Sequence, residues 1–292
     1  MSALEPDGPA PGAGVTSDAG GRLAACTELW GLEFLPQRYV LSFNLVRAAV
    51  LPDGRPVVLK LVPPGSAEYH DELAVLDAAA GPAVVRVLAR DARLGAFLLE
   101  RLLPGTPLGR LFPGEEERAV GIACDVLRRF WHEDEDAPLP DAAAWGAALL
   151  EPGRPGARAV PAPVLARARG LYAELASSSA SRTVLHGDLH HANILSSERG
   201  WVVIDPKGLR GEPAFDLGAF LRNPAPHLVR EAGARRLLDR RIGRMAELLE
   251  LDRHRVCGWA YAQAVLSACW AAEDGDWDWV SYALACADLL AP

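Results

Sequence analysis

The segment 184–208 constrains the fold more than any other part of the chain. It begins with apolar residues, turns polar over 186–193 and is apolar again at 194–195. The polar run holds three of the chain's seven histidines and one of its three asparagines. After a turn signal, a further apolar run over 201–204 ends on Asp205. The apolar runs at 194–195 and 201–204, with the turn signal between them, predict a β-hairpin. The polar run over 186–193 should therefore be a tight loop that leads into this hairpin.

Three side chains of this segment are suited to holding a hard cation. Asp188 and Asn193 are close together on the predicted loop, and Asp205 ends a neighbouring strand, so their oxygens can converge. Mg²⁺ prefers a few protein oxygens together with phosphate oxygens. Phosphoryl transfer needs a metal, a cation on the phosphates and a group that orients the attacking hydroxyl. The segment is therefore predicted to support phosphoryl transfer.

The histidines allow a second interpretation. His186, His190 and His191 could ligate zinc beside Asp188 in a metallohydrolase, because clustered His and Asp residues form such sites. Against this, the chain has no second cluster of His or Cys, and its five cysteines include no C-x-x-C pair. We therefore favour His186 and His190 as packed, hydrogen-bonded supports of the loop.

The remaining sequence predicts a tail followed by two parts that differ in secondary structure. Residues 1–20 are rich in Gly, Pro, Ala and Ser and are predicted to be a disordered tail. Residues 21–101 combine strand-like runs with one helical segment after Ser66, a good N-cap residue. Residues 102–292 are mostly helical in periodicity. The predicted strands cover 39–50, 56–62, 84–89 and 96–99, and the predicted helices of the second part cover 115–132, 163–176, 227–250, 253–273 and 278–291. The fold class is thus α+β with two lobes and a hinge near 100–105.

Lysine is rare in this chain, which makes its two positions informative. Of 30 basic residues only Lys60 and Lys207 are lysines, so the other 28 are arginines. Lys60 lies in an otherwise apolar strand-like run, which favours a functional role over simple exposure. Lys207 follows Asp205 closely and is predicted either to contact phosphate or substrate or to neutralise an acidic site.

The motifs resemble those of a known enzyme family. His186-Gly187-Asp188-Leu189-His190-x-x-Asn193 is similar to the catalytic loop of the aminoglycoside phosphotransferases and, more distantly, to H-R-D-x-x-x-x-N of protein kinases. Asp205-Pro206-Lys207-Gly208 stands where the family places a metal-binding Asp, and 212–217 matches the family segment G-D/E-P-x-x-D-L. Residues 249–275 further resemble the streptomycin 6-kinase and hydroxyurea-kinase branch.

The resemblance implies a protein-kinase-like fold that uses ATP and Mg²⁺. The small β-rich N-lobe would bind the nucleotide, and the large helical C-lobe would carry the catalytic loop and the substrate. Asp188 would be the catalytic residue, which accepts or orients the proton of the acceptor hydroxyl. Asn193 and Asp205 would hold Mg²⁺, and Asp216 would brace the catalytic loop.

The same resemblance implies a set of nucleotide-binding residues. Lys60 would contact the α- and β-phosphates, and Glu72 would pair with Lys60, although Glu68 one turn earlier competes for that role. The remaining positions are Glu100 and Leu102, whose backbone would bind adenine, and Ser42 and Asn44, which would lie in the turn over the phosphates. No glycine occurs at 42–44, so small polar side chains would replace a Gly-rich loop there.

Two departures separate the chain from protein kinases. Pro206 replaces the phenylalanine of D-F-G, and no A-P-E-like segment closes an activation loop. These differences favour a constitutively active small-molecule kinase. We expect the acceptor to be an aminoglycoside or hydroxyurea, with a metabolic sugar or amino-sugar kinase, or a non-catalytic nucleotide-binding regulator, as the alternatives.

Charge and hydropathy limit the expected partners. A net charge of −8 argues against nucleic acid as a partner but suits a cationic small-molecule substrate, for which Glu273 and Asp274 are candidate contacts. No run approaches the roughly 20 apolar residues of a membrane span, and no secretory signal is recognisable, so we expect a cytoplasmic protein. The oligomeric state stays open.

Overall fold

The structure is a computed structural model that describes residues 19–40, 44–79, 81–134, 137–147, 150–179 and 181–291. Its first part is an antiparallel sheet flanked by two helices, α1 (Ala19–Trp30) and α2 (Ala67–Ala78). The strands of the sheet are β1 (Glu33–Val40), β2 (Leu45–Val50), β3 (Pro56–Leu61), β4 (Val87–Asp91) and β5 (Ala96–Glu100), in the spatial order β1-β2-β3-β5-β4. The predicted cap of α2 is confirmed, since the Ser66 hydroxyl accepts a hydrogen bond from the Tyr69 amide.

The period-two alternation of the central strands gives this sheet two buried faces. Leu59 and Leu98 belong to the apolar cluster that includes Cys26 of α1. Phe97 belongs to the other cluster, which continues through α2 into the second part of the molecule. Lys60 lies directly opposite Phe97 in the β3–β5 ladder, so it is on the α2 face. The strand pattern therefore points a lysine from an apolar sheet towards the interior of the molecule.

The second part is mainly helical and contains two small sheets. Its helices are α3 (Glu116–Phe130), α4 (Ala142–Ala147), α5 (Ala162–Ser177), α6 (Pro213–Leu221), α7 (His227–Arg230), α8 (Ala234–Leu249), α9 (Arg253–Asp274) and α10 (Trp277–Leu290). One sheet has the order β6-β8-β9, with β6 (Pro104–Pro107), β8 (Ile194–Ser197) and β9 (Gly200–Val203), and the other pairs β7 (Thr183–Leu185) with β10 (Leu209–Gly211). Helix α9 is buried along most of its length, because it packs between α5, α6 and α10.

The two parts are joined by backbone pairing as well as by the chain. The Val203 amide donates to the Ala83 carbonyl at 2.8 Å, and the Val85 amide donates to the Val203 carbonyl at 3.0 Å. These bonds correct the predicted strand over 84–89, because residues 84–85 pair with β9 and β4 begins only at Val87. The hairpin that follows the polar loop is therefore anchored to the first part of the molecule.

Three further predictions meet the structure. The predicted hairpin β8–β9 is confirmed. The predicted tail over 1–20 is wrong at its end, because Ala19 and Gly20 belong to α1. The predicted helix 227–250 is interrupted between α7 and α8, where Gly233 adopts the left-handed conformation with φ 80°. Among the described helices, none combines the length and the apolar character needed to cross a membrane.

Candidate active site

A buried ion cluster joins the sheet, α2 and the end of β9. Lys60 Nζ donates to Glu72 Oε2 at 2.6 Å and also pairs with Asp205 Oδ1. The Lys60 and Glu72 side chains are 3% and 2% exposed. Glu72, and not Glu68, is therefore the partner of Lys60. Because these residues come from distant parts of the sequence, the cluster forms only when the two parts of the molecule are in place.

Burial and mutual attraction act in opposite directions on these charges. Burial raises the pKa of Glu72 to about 7, although Lys60 opposes the rise. Burial also acts to lower the pKa of Lys60, but Glu72 and Asp205 outweigh it and hold the pKa above its ordinary value. Burial acts to raise the pKa of Asp205, yet Lys60 and Lys207 hold it below its ordinary value. One buried lysine is thus shared by two carboxylates, of which Asp205 is the better stabilised anion.

The polar loop is held from behind by the Asp216 carboxylate at the start of α6. Asp216 is 1% exposed. It accepts hydrogen bonds from the His186 amide at 2.9 Å, the Gly187 amide at 2.7 Å and Trp131 Nε1 at 2.9 Å. Burial raises the pKa of Asp216, while His186 and the three donors oppose this effect. The backbone just before Asp188 is consequently fixed by charge-assisted hydrogen bonds.

The histidines of the loop are used as structural groups. His186 is fully buried; its Nδ1 lies 3.3 Å from the Asp188 amide and its Nε2 lies 2.9 Å from the Ile204 carbonyl. These partners define a neutral tautomer with hydrogen on Nε2, and burial accordingly lowers its pKa. His190 Nδ1 accepts from the Ala192 amide, and His191 stacks on Phe220 at 4.1 Å. The three rings thus serve the loop and its packing, which does not support the zinc interpretation.

Asn193 and Asp205 lie close together at the two ends of the β8–β9 hairpin, where the Ile204 amide donates to the Asn193 carbonyl at 3.0 Å. The Asn193 amide group donates from Nδ2 to the Asp188 carbonyl at 3.0 Å, which leaves Oδ1 available as an acceptor. Asp205 follows β9 and adopts φ 58°, in the left-handed region that a non-glycine residue rarely occupies. No cluster of three His, Cys, Asp or Glu side chains suited to a metal occurs in the described residues, so any cation here would depend on this mixed amide and carboxylate pair.

The residues after Asp205 pack tightly beneath α2. The Lys207 amide donates to the His186 carbonyl at 2.7 Å, and Lys207 Nζ lies 3.5 Å from Glu68 Oε1. Gly208 has φ 72°, and a Cβ there would lie 2.5 Å from the Asp71 carbonyl oxygen. Only glycine satisfies both the conformation and the space, so Gly208 fixes the approach of the Asp205 segment to α2.

The segment after β5 offers backbone groups to a ligand. The Leu102 amide makes no hydrogen bond to any other residue in the described part of the chain. Glu100 uses its carboxylate locally, since Oε1 accepts from the Arg86 amide at 2.9 Å and pairs with Arg199 of the β8–β9 turn. This turn residue also donates to the Val84 carbonyl at 3.0 Å. The connecting segment is therefore held in shape while one amide stays available.

The predicted phosphate turn is only partly described. Ser42 lies outside the described residues. Asn44 is 9% exposed, and its Nδ2 donates to Glu68 Oε1 at 2.9 Å. Its Oδ1 is buried without a partner among the described residues. Glu68 therefore links Asn44 and Lys207, a role that the sequence did not suggest.

The two candidate substrate contacts are remote from the cluster. Glu273 pairs with Arg154 at 3.2 Å, and Asp274 is the last residue of α9. Gln263, which contacts Arg222 beside Asp188, is ten residues earlier on the same helix. At about 1.5 Å per residue this places Glu273 roughly 15 Å further along the axis. The structure does not bring Glu273 and Asp274 together with the other predicted residues.

Arg222 lies beside Asp188, although no motif in the sequence indicates it. Its Nη2 lies 3.3 Å from Asp188 Oδ1, and its side chain is 9% exposed. One arginine among 28 carries no signal in the sequence, because nothing in its local pattern distinguishes it from surface arginines. Only the packing of α6 against α9 shows its position.

Comparisons with known proteins agree with this geometry. Residues 40–275 match the model of the family described as aminoglycoside/hydroxyurea antibiotic resistance kinase. The chain is 34% identical over 237 residues to streptomycin 6-kinase of Streptomyces glaucescens, which covers 80% of this chain and 76% of that protein. It is 33% identical over 261 residues to hydroxyurea phosphotransferase of Kitasatospora aureofaciens, which covers 88% of this chain and 74% of the relative.

Solved structures extend the likeness in fold. A ternary complex of aminoglycoside phosphotransferase APH(4)-Ia with ADP and hygromycin B aligns with a TM-score of 0.64 at 16% identity, covering 91% of this chain and 97% of that chain. Choline kinase LicA from Streptococcus pneumoniae aligns with a TM-score of 0.66 at 14% identity, covering 92% and 96%.

The sheet, the helical part and the loop between them define a protein-kinase-like fold, and the chain is a small-molecule kinase. The relatives above are a streptomycin kinase and a hydroxyurea phosphotransferase. More narrowly, the chain belongs to the family of aminoglycoside/hydroxyurea antibiotic resistance kinases.

Proposed function

We propose that this enzyme transfers the γ-phosphoryl group of ATP to a hydroxyl of an aminoglycoside or of hydroxyurea, with Asp188 as the catalytic residue. The observation that carries the proposal is the convergence of the Lys60, Glu72 and Asp205 cluster with the loop that holds Asp188 and Asn193. Phosphoryl transfer depends on positioned charge more than on covalent chemistry. These residues supply that charge inside a cleft between two packed lobes, the first of which we place at residues 21–101.

The nucleotide site follows from the placement of free and charged groups. The free Leu102 amide and the backbone of Glu100 would hydrogen-bond the adenine ring at the segment that leaves β5. Lys60, held by Glu72, would contact the α- and β-phosphates. Asn44, with a buried Oδ1 that has no described partner, would lie near the phosphates together with Ser42. The ADP in the related ternary complex supports ATP as the donor.

Asn193 and Asp205 fit a magnesium ion by the chemistry of their donor atoms. Both offer oxygen ligands, Asp205 is kept anionic by its lysine neighbours, and Asn193 presents Oδ1 because Nδ2 is engaged. Few protein oxygens suffice, since Mg²⁺ completes its shell with phosphate and water. When bound, the ion would neutralise phosphate charge during transfer.

In the proposed transfer step, Asp188 accepts the proton of the acceptor hydroxyl. The acceptor oxygen forms a bond to the γ-phosphorus, the bond from that phosphorus to the bridging oxygen of ADP breaks, and the acceptor proton passes to the Asp188 carboxylate. Asp216 and His186 fix the loop so that this carboxylate faces the cleft. Lys207 would add positive charge near the developing phosphate charge. Because the reaction uses ATP, we place it in the cytoplasm.

Acceptor preference is supported by the relatives and by charge. The relatives include streptomycin kinases and a hydroxyurea phosphotransferase, and the net charge of −8 suits a cationic acceptor. Glu273 and Asp274 would act on such an acceptor only as part of an outer acidic surface, given their distance from Asp188.

An acceptor panel tests the proposal. ADP release should be measured with ATP and Mg²⁺ against streptomycin, hygromycin B, hydroxyurea, amino sugars and simple sugars, and mass spectrometry should confirm a phosphorylated product. We expect turnover with streptomycin or hydroxyurea that is lost in Asp188→Ala. Turnover with sugars alone would replace the resistance role by a metabolic one. Nucleotide binding without turnover on any acceptor would contradict the proposed activity.

A further inference from the structure

A buried arginine holds one oxygen of the proposed catalytic carboxylate. Arg222 caps the C-terminal end of α6, and its Nη2 lies 3.3 Å from Asp188 Oδ1. We infer that Arg222 is a positioning residue that orients Asp188 towards the acceptor hydroxyl. The inference rests on the proposed role of Asp188.

The guanidinium group is itself held on its other side. Arg222 Nη1 lies 3.3 Å from Gln263 Oε1, and Gln263 Nε2 donates to the Phe215 carbonyl. Gly218 makes room for this amide, because a Cβ at Gly218 would lie 2.5 Å from the Gln263 side chain. Gln263 is 5% exposed, so the amide is fixed inside the contact between α6 and α9. Its oxygen is thereby committed to Arg222.

The backbone of Arg222 is anchored as well. Its carbonyl accepts the Tyr282 hydroxyl from α10 at 2.6 Å, and its amide donates to the Gly218 carbonyl at 3.3 Å. Three helices therefore determine where the guanidinium lies. A side chain with this many supports loses little further entropy when it holds a partner.

The two Asp188 oxygens have different surroundings. Oδ1 is beside Arg222, whereas Oδ2 is 3.9 Å from His190 Nε2, beyond hydrogen-bond distance. The Asp188 side chain is 27% exposed, so part of the carboxylate stays accessible. With Oδ1 occupied, Oδ2 is the oxygen left to accept the proton. A carboxylate held at one oxygen cannot rotate freely, which favours one line of approach for the acceptor.

The buried charge also makes Arg222 dependent on Asp188. Burial lowers the pKa of Arg222, and the Asp188 carboxylate opposes this effect. Its Nε is buried without a partner among the described residues, so the guanidinium is incompletely satisfied by hydrogen bonds.

Arg241 provides a matched structural comparison within the same region. It is 1% exposed, and its Nη1 donates to the Asn223 carbonyl at 2.6 Å and the Phe220 carbonyl at 3.2 Å. Its carboxylate partner is Glu116, which is not part of the candidate site. Substitution of Arg241 should therefore reduce stability without changing the turnover of the folded fraction.

Steady-state kinetics of Arg222→Met and Arg222→Lys test the inference. For Arg222→Met we expect kcat to fall about 100-fold, because the base is misaligned, while the KM for ATP changes less than about twofold. Arg222→Lys should have a higher kcat than Arg222→Met, since lysine restores the positive charge but not the planar guanidinium with its two parallel donors. Guanidinium ion added at millimolar concentration should raise kcat of Arg222→Met and leave Arg241→Met unchanged. Unaltered kcat in folded Arg222→Met would overturn the inference.

Gln263→Glu keeps the test decisive if the Arg222 variants do not fold. The new carboxylate would compete with Asp188 for the guanidinium, so we expect kcat to fall about tenfold with an unchanged KM for ATP. A Gln263→Glu enzyme with unaltered kcat would overturn the inference. Asp188→Ala separates the two proposals, because activity that survives its loss contradicts the role of Asp188 itself, whereas an inactive Asp188→Ala with a fully active Arg222→Met contradicts only the positioning role.

Discussion

Replacing Lys60 by Met probes the buried ion cluster directly. The substitution leaves the Glu72 and Asp205 carboxylates together without the lysine that both of them contact. Breaking a buried pair by removing one partner typically costs about 3–5 kcal/mol. We expect Lys60→Met to lose unfolding free energy of this size at pH 8 and to bind ATP poorly.

The loss should depend on pH in a defined direction. In the intact protein the pKa of Glu72 is raised to about 7, so Glu72 is largely protonated at pH 6 and ionised at pH 8. Without Lys60 its pKa rises further, so the variant keeps the proton as pH rises from 7 to 8. The folded variant then holds one more proton than the folded parent, which costs about 1.4 kcal/mol for each pH unit. The destabilisation should therefore be greater at pH 8 than at pH 6, by roughly 1 kcal/mol.

Urea unfolding of both proteins at the two pH values measures this difference. Histidines that titrate in the same range cancel when the variant is compared with the parent. The control is the same substitution made in a Glu72→Gln background: the difference between Glu72→Gln and Glu72→Gln/Lys60→Met should not depend on pH. A destabilisation that is equal at pH 6 and pH 8, or larger at pH 6, would refute the assignment of the proton to Glu72.

Three further substitutions test parts of the framework by urea unfolding. Gly208→Ala should destabilise the protein by more than about 2 kcal/mol, because it combines positive φ with a backbone clash, whereas Gly153→Ala, which meets no atom within 4 Å, should change stability by less than about 0.5 kcal/mol. Asp216→Asn should cost about 2–3 kcal/mol, since its amide group replaces an oxygen that accepts N–H donors. Arg199→Ala should cost about 1 kcal/mol through lost donors to the Val84 carbonyl and Glu100. Unchanged stability in Gly208→Ala, Asp216→Asn or Arg199→Ala would contradict the corresponding contact.

Local signals in the sequence predicted much of the fold. The strand-like runs over 39–50 and 56–62 predicted strands β2 and β3, and Ser66 predicted the start of α2, because strand and cap preferences act over a few residues. Helix α1 was not predicted, since Gly and Ala give it no strong apolar face. The break before α8 depends on Gly233, and one glycine within a helical pattern is a weak signal.

The candidate site, like the fold, was only partly predictable from the sequence. The lysine at 60, the loop at 186–193 and Asp205 were predictable because their residue types are rare or clustered and the chemistry requires them. The sequence left Glu68 as a competitor of Glu72 for Lys60. The structure decides between them, because α2 places Glu72 beside Lys60 and Glu68 beside Lys207. Arg222 needed tertiary structure altogether, because its role depends on α6, α9 and α10 meeting behind the loop.

The turnover of Asp188→Asn shows whether this carboxylate is the catalytic base. This variant keeps the size of the side chain but removes the base. With an acceptor identified from the panel, we expect ATP binding to stay within about threefold of the parent. The rate of phosphoryl transfer should fall by about 10²–10⁴-fold if Asp188 is the base. Transfer that continues near the parental rate in a folded Asp188→Asn enzyme would contradict the account.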